Sequence, residues 1–362
     1  MNSAIFCYVL TLFWSVAHFI TVKFGLLPNS DVSEIAIVMS YLFYIILYFK
    51  VFMLYRKGEI HSAFRGVFVP IMATLGSIFI LSGGLQSKLF VFYAAFCIIV
   101  VLLSFVYYRH RHGKVDSMSM VKKIKEWANN NTKSQNVLGP STKRAFQKIA
   151  DGEKLEVAGQ YGTTNGAAMK ILPVGIAFDY RKPDILMKNV VAACLPTHNT
   201  NVAISGAMAI AAAVSCCIRG GSLNDMVTES KKAAKIGASQ GYHVSEADIA
   251  TRIELAIELV SAGKNWNETL DDVYNIIGTG LATEQAVPAA LAMAYYAAGD
   301  PMLCAKYCAN IGGDTDTIGA MACGICGAYS GISSFDPSSL QTILTVNHLN
   351  WAPVAKQLVH YI

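Results

Sequence analysis

Four long apolar runs open the chain, at Ala4 to Val22, Ile35 to Leu54, Val67 to Leu85 and Leu89 to Tyr108. Each is close to the roughly 20 residues that a helix needs to cross a ~30 Å hydrocarbon layer. A cleaved signal peptide would account for the first run but not for the three behind it. The pattern predicts four membrane spans. After Tyr108 it changes abruptly to RHRHGKVDSMSMVKKIKEW, which sets a boundary between a membrane part, residues 1–112, and a soluble part, residues 113–362.

Beyond the boundary the apolar spacing is helical, and no stretch alternates with period two for long enough to argue a sheet. AFQKIADG ends a short helix at Gly152, a usual left-handed stop. Asn201 to Gly221, Ser245 to Asn265 and Ala286 to Pro301 read as Ala-rich helices, with Ser245 and Asp248 forming an N-terminal cap pattern. Leu270, Val273 and Ile276 read as a buried stripe, leaving Asp271 and Asp272 on a solvated face. Gly319, Ala320, Ala322, Gly324, Gly327 and Ala328 nominate the helix after Asp316 as the domain centre, because small residues let backbones approach closely. Two aspartates at its start argue against a membrane reading of that helix. The fold class predicted is all-α: four transmembrane helices, then an all-helical domain.

Composition agrees with that division. The chain is 54% hydrophobic and 15% charged, too apolar for an ordinary soluble protein. Residues 1–114 hold nine Lys/Arg and three Asp/Glu, and the remainder holds twenty and twenty-one. The net charge of +5 therefore belongs to the first third and gives no nucleic-acid-binding surface. Arg56, Lys57 and Arg65 follow the second run, and Arg109, Arg111, Lys114, Lys122, Lys123 and Lys125 follow the fourth. The positive-inside rule then predicts that both termini face the cytoplasm. Nine cysteines, odd in number and without a framework spacing, suit a reducing compartment.

The stretch NIGGDTDTIGAMACGICGAYSG carries the most specific chemistry. Asp314, Asp316 and Thr317 present two carboxylates and a hydroxyl within four residues, behind a turn permitted by Gly312 and Gly313. Oxygen donors of this kind suit a hard cation such as Mg²⁺ or Ca²⁺. The residues alone leave open a second reading, in which an aspartate only caps the helix. Tyr161 to Phe178 holds a glycine-bounded polar loop, Gly162 to Gly166, whose amides could receive phosphates or simply start a helix. His198, beside Thr197 and just ahead of a helix, reads either as a cap residue or as site material. Cys323 with Cys326 and Cys304 with Cys308 form C-x-x-C and C-x-x-x-C pairs inside small-residue helices with no histidine cluster nearby. They read as packing residues, not as a zinc or redox site.

Together these stretches resemble the ADP-ribosylglycohydrolase family. TNGAAMKILPVGI looks like its N-G-A-x-M-R-x-x-P segment, and THNTNVAISGAMAIAAAV looks like its T-H helix. QAVPAALAMAYYAAGDP followed by NIGGDTDTIGAMACGICGAYSG looks like its closing helices and second metal motif. The match runs from about Val121 to the C-terminus. It implies an all-α fold with a binuclear Mg²⁺ centre that helps hydrolyse the bond joining ADP-ribose to a side chain or small acceptor. By resemblance Asp314, Asp316 and Thr317 would be metal ligands. Asn165, Gly166, Thr197, His198, Gly312 and Gly313 would line the ADP-ribose cleft, and no residue of this chain is assigned as the catalytic group. Lys170 stands where the family usually has Arg, which keeps the charge and loses the planar fork.

Family members begin with a segment carrying a T-D-D motif whose aspartates complete the metal centre, and no T-D-D triplet occurs in this sequence. The apolar runs stand in that place. Gly66 to Tyr108 looks like the last two spans of amino-acid permeases, and Ser33 to Leu54 like the span before them. The broken helices that bind substrate in such transporters lie in a half that has no counterpart here, so transport is not expected. The reading that follows is a membrane-tethered, cytoplasm-facing ADP-ribosylglycohydrolase-like protein, with a partial Mg²⁺ site and hydrolysis impaired by its missing half. The alternatives are a non-catalytic ADP-ribose-binding or assembly subunit, a site completed by a separate chain, and a fusion with a permease fragment in which neither half functions.

Overall fold

The computed structural model describes residues 33–56, 60–84, 113–130 and 138–359, with isolated positions at 16, 19–20, 23–24, 95, 98–99 and 102. The chain divides into two compact units, Met1–Gly113 and Lys114–Ile362. Among the described residues every regular element is helical, and the only extended pairings are two isolated bridges, Thr164 with Ala282 and Thr200 with Tyr242.

In the first unit the helix Ser33–Arg56 is followed by a π-helical turn, Phe64–Phe68, that runs into the helix Val69–Gly84. Gly66 lets the second arm of this hairpin lie against Tyr55, where a Cβ would stand 2.5 Å from the tyrosine Cβ. The outward side chains are apolar: Ile46, Leu47, Phe49, Ile71, Leu75 and Phe79 are all exposed. Thr74 and Ser77 donate their hydroxyls back to Pro70 O and Ala73 O one turn earlier, so these polar groups are satisfied within their own helix. The expected spans Ala4 to Val22 and Leu89 to Tyr108 lie almost wholly outside the described residues.

Two described helical stretches are long and apolar enough to cross a membrane, Phe64–Ser82 and Asn201–Ile218, and burial separates them. Of the first, 17% is buried, whereas 89% of the second is. Asn201–Ile218 is the core of the second unit, with every residue from Val202 to Cys217 buried. It packs against the helices Gly166–Met169, Leu172–Ala177, Pro183–Cys194, Leu223–Gly237, Thr283–Tyr296 and Thr315–Ser330. Its small residues make that crowding possible, and Ile204, Met208 and Ile210 fill the gaps at no exposure. Each such large side chain contributes about 1.5–3 kcal/mol by burial. Ser205 and Ser215, also buried, donate to Ala234 O and Phe178 O and so leave no orphaned hydroxyl on this helix.

This central helix, and not Thr315–Ser330, is the domain centre. The aspartate-bearing helix buries only Thr317, Ile318, Met321, Ala322, Ile325 and Cys326, because neighbours cover one side of it. Two smaller expectations also change. Asp248 is itself the N-cap of Ile249–Ser261, accepting from Thr251 N at 2.7 Å, so the cap lies three residues after Ser245. The helix Trp266–Asp272 continues into a π-helical turn, Val273–Ile277. That wider turn advances the buried stripe by one residue, leaving Ile276 exposed and Ile277 buried. Gly152 does end the helix Pro140–Ala150, at φ +90°.

Candidate functional site

Three segments meet at one place: the Gly162–Gly166 loop, the turn at Gly312 and Gly313, and a loop at Gly278–Thr283 that is absent from the sequence-derived candidates. The third holds the other two. Asp314 N donates to Thr279 O at 2.7 Å and Asn165 N to Leu281 O at 2.9 Å. Thr283 donates to Thr163 O through both its amide, at 3.3 Å, and its hydroxyl, at 2.7 Å. The loop is itself clamped. Arg252 bonds the carbonyls of Ile277 and Glu284, and Gln285 Oε1 accepts from Gly280 N at 3.1 Å. A Gly-Thr-Gly ahead of a helix is the available signal in the sequence, but backbone carbonyls acting as the scaffold leave no residue-type signature.

At the meeting point Asn165 Nδ2 donates to Asp314 Oδ2 at 2.5 Å, joining residues 149 positions apart. Asn165 is buried, Asp314 half-buried, Thr317 buried and Asp316 exposed. Asp314 occupies the N-cap position of Thr315–Ser330, yet its side chain makes no capping bond. The plain capping reading therefore does not hold for this residue. Its carboxylate faces Asn165, Asp316 and Thr317 instead. Burial raises the pKa of Asp314 above the usual carboxylate range and the neighbouring Asp316 adds to the rise, while hydrogen bonds from Asn165 and Thr317 oppose it. Gly313, at φ +70°, faces Thr279 so closely that a Cβ would collide with its carbonyl and hydroxyl oxygens. The Thr279 hydroxyl is buried and has no hydrogen-bond partner.

Behind the Asn165 loop runs a buried chain of hydroxyls. Lys170 Nζ donates to Thr197 Oγ1 at 2.6 Å, and Thr197 Oγ1 lies 2.8 Å from His198 Nδ1. His198 Nε2 lies 3.0 Å from Thr164 Oγ1, which lies 3.3 Å from Ser141 Oγ. The Lys170 ammonium can only donate, so Thr197 Oγ1 accepts from it, and both ring nitrogens of His198 are engaged by hydroxyls. Burial, with the Lys170 charge adding to it, pushes the His198 pKa down to about 3, so the ring is neutral. Burial also lowers the pKa of Lys170. Thr197 and His198 are each 1% exposed and stand one layer behind Asn165 and Gly166. A Cβ on Gly166 would sit 3.0 Å from His198 Nε2, so the ring backs the loop directly. The loop is pinned to the central helix as well: Thr200, its N-cap, donates to Gly162 O at 2.6 Å, and Asn199 N donates to Gly159 O at 2.8 Å. A Cβ on Gly312, at φ +81°, would stand 3.0 Å from the Tyr274 ring.

The donor set at the surface is made of oxygens: two carboxylates and a hydroxyl. Two carboxylates within contact of each other, one of them raised in pKa, match the chemistry of a hard divalent cation, which keeps several waters and takes few protein ligands. Among the described residues no group of three or more His, Cys, Asp or Glu side chains is placed to hold a metal ion.

The second unit is all-helical among its described residues, and its site joins Asn165 to Asp314 in front of the buried Thr197–His198 pair. The ADP-ribosylglycohydrolase family profile matches residues 97–361, and the chain belongs to that family. The match begins inside the fourth apolar run, earlier than the resemblance at Val121. The protein YegU of Escherichia coli K12 is 36% identical over 252 residues, covering 69% of this chain and 75% of that one. ADP-ribosylhydrolase ARH3 of Danio rerio is 25% identical over 247 residues, 63% of this chain and 62% of its own. The Homo sapiens ARH3 is 27% identical over 203 residues, 51% of this chain and 54% of its own. The chain therefore spans little more than half to three-quarters of these relatives.

Proposed function

We propose that the second unit hydrolyses the bond between ADP-ribose and an acceptor, with an Mg²⁺ ion held in part by Asp314, Asp316 and Thr317. The Asn165–Asp314 bond carries this reading, because it brings the loop expected to receive the ligand onto the paired aspartates. Bound there, the cation would polarise the ribose and position water. Asn165 fixes the orientation of the Asp314 carboxylate, and neutral His198 holds the Thr164–Gly166 backbone from behind. Gly312, Gly313 and Gly166 let Tyr274, Thr279 and His198 pack directly against the backbone of the turn and the loop. The test uses the full chain in detergent with millimolar Mg²⁺ and peptides ADP-ribosylated on serine or arginine. Free ADP-ribose should appear, and should be lost in the Asp314→Asn, Asp316→Asn double variant. No release from either substrate by the parent chain would sink the proposal.

A second reading, a non-catalytic ADP-ribose-binding subunit or one completed by another chain, is favoured by one observation: no third acidic or histidine side chain joins the aspartates among the described residues. Heat on titration with ADP-ribose, without turnover, would favour it. The first unit is proposed to lie in a lipid bilayer with the second facing the cytoplasm, supported by the exposed apolar faces of Ser33–Arg56 and Phe64–Ser82. The likeness to permease spans adds no transport activity to that proposal. Alkaline extraction of membranes tests it.

A further inference from the structure

The four cysteines read from sequence as packing residues converge. Cys304 and Cys308 lie one turn apart on Pro301–Asn310, and Cys323 and Cys326 one turn apart on Thr315–Ser330. These helices pack side by side, with Cys308 Cβ 3.4 Å from the position of a Cβ on Gly319 and Cys323 Sγ 3.7 Å from Pro301 O. Two contacts in opposite chain order run the helices antiparallel and set Cys304 between the others. Cys304 lies one turn along its helix from Pro301, whose carbonyl the Cys323 thiol touches, on the buried side between the two helices. Cys304, Cys308 and Cys326 are buried, whereas Cys323 is partly exposed. The four are not arranged to hold a metal ion, so the chemistry open to them is that of thiol pairs.

We propose that Cys323 is a peroxide-reactive thiol and that Cys304 resolves it, forming a disulfide that ties Pro301–Asn310 to the aspartate-bearing helix. Cys323 is the member that solvent reaches, and its contact with Cys304 lowers its pKa and favours the thiolate. The oxidant is hydrogen peroxide. The Cys323 thiolate attacks one peroxide oxygen, the O–O bond breaks, the departing hydroxide takes up a proton as water, and Cys323 becomes a sulfenic acid. The Cys304 sulfur then attacks the Cys323 sulfur. The S–S bond forms, the S–O bond breaks, and the Cys304 proton leaves with the hydroxyl as a second water. Two thiols lose two electrons and one peroxide is reduced.

The sequence makes the link directly readable. Trypsin cuts after Lys264, Lys306 and Lys356, which leaves Cys304 as the sole cysteine of the peptide 265–306 and puts Cys308, Cys323 and Cys326 in the peptide 307–356. The full chain in detergent is treated with hydrogen peroxide, alkylated, digested and mapped by mass spectrometry without reduction. The two peptides should appear joined, with fragmentation placing the bond at Cys323, and should separate on reduction. The link should persist in Cys308→Ser and Cys326→Ser and vanish in Cys323→Ser. Two separate peptides, or a parent link placed at Cys308 or Cys326, would overturn the proposal without recourse to any variant.

Discussion

Replacing Gly313 by Ala is the sharpest test of how the aspartate turn is held. At φ +70° the residue lies in the left-handed region, where a side chain costs about 1 kcal/mol. The new Cβ would also meet the Thr279 carbonyl, which is backbone and cannot swing aside as a side-chain end would. Moving it breaks the 2.7 Å bond from Asp314 N, worth about 1 kcal/mol, and the overpacking adds about 1–3 kcal/mol. The total comes to about 4 kcal/mol. Gly263 supplies the control, since it has φ +74° with nothing within 4 Å of its would-be Cβ. Gly263→Ala should therefore cost only the conformational part, about 1 kcal/mol. At about 2–4 °C per kcal/mol for a unit of this size, thermal unfolding followed by tryptophan fluorescence should show Tm lower by about 3 °C in Gly263→Ala and by about 12 °C in Gly313→Ala. Equal shifts in the two variants would refute the claim that Thr279 braces the turn.

Two further outcomes follow from the burial pattern. His198 stays neutral in the folded state while its unfolded counterpart takes up a proton below about pH 6.5, so the stability it contributes is complete above that pH and falls as pH drops towards about 3. Between pH 7 and pH 5 the parent should lose about 2 kcal/mol more than His198→Gln, read from urea unfolding at each pH, and parallel profiles would contradict a buried neutral ring. The full chain should remain in the pellet when membranes are washed with alkaline carbonate, and its release into the supernatant would remove the bilayer proposal.

Much of this architecture is legible in the sequence because helix starts and stops are local. Gly152, the Asn201 helix and the aspartate motif all follow from residue types within one turn. The choice among helices of like composition does not. Asn201–Ile218 and Thr315–Ser330 are both rich in small residues, and only the number of neighbours decides that one is enclosed and the other covered on one side. The π-helical turn at Val273–Ile277 likewise shifts the stripe from Ile276 to Ile277, a change that periodicity at 3.6 residues cannot contain. The cysteines are legible as two pairs, each on one helix face, but their meeting depends on how two helices register. At the site, Asn165 and Asp314 each stand out by residue type, whereas the Gly278–Thr283 loop that unites them works through carbonyl oxygens present at every residue.

That loop gives the site a particular division. The His198 side is closed and held by a hydrogen-bonded chain from Lys170 to Ser141, so it is suited to shaping backbone and not to exchanging protons with solvent. The aspartate side is open, and the groups acting most strongly on Asp314 are Asn165, Asp316 and Thr317, none of them basic. One amide hydrogen bond offsets only part of the repulsion between two adjacent carboxylates. A cation arriving there gains from their attraction and also relieves a cost already present in the folded chain. Relief of that kind depends on both charges. Asp314→Asn and Asp316→Asn should therefore each weaken cation binding, read by calorimetric titration with Mg²⁺, while raising the Tm of the free chain, a combination that a purely structural role for either aspartate would not produce.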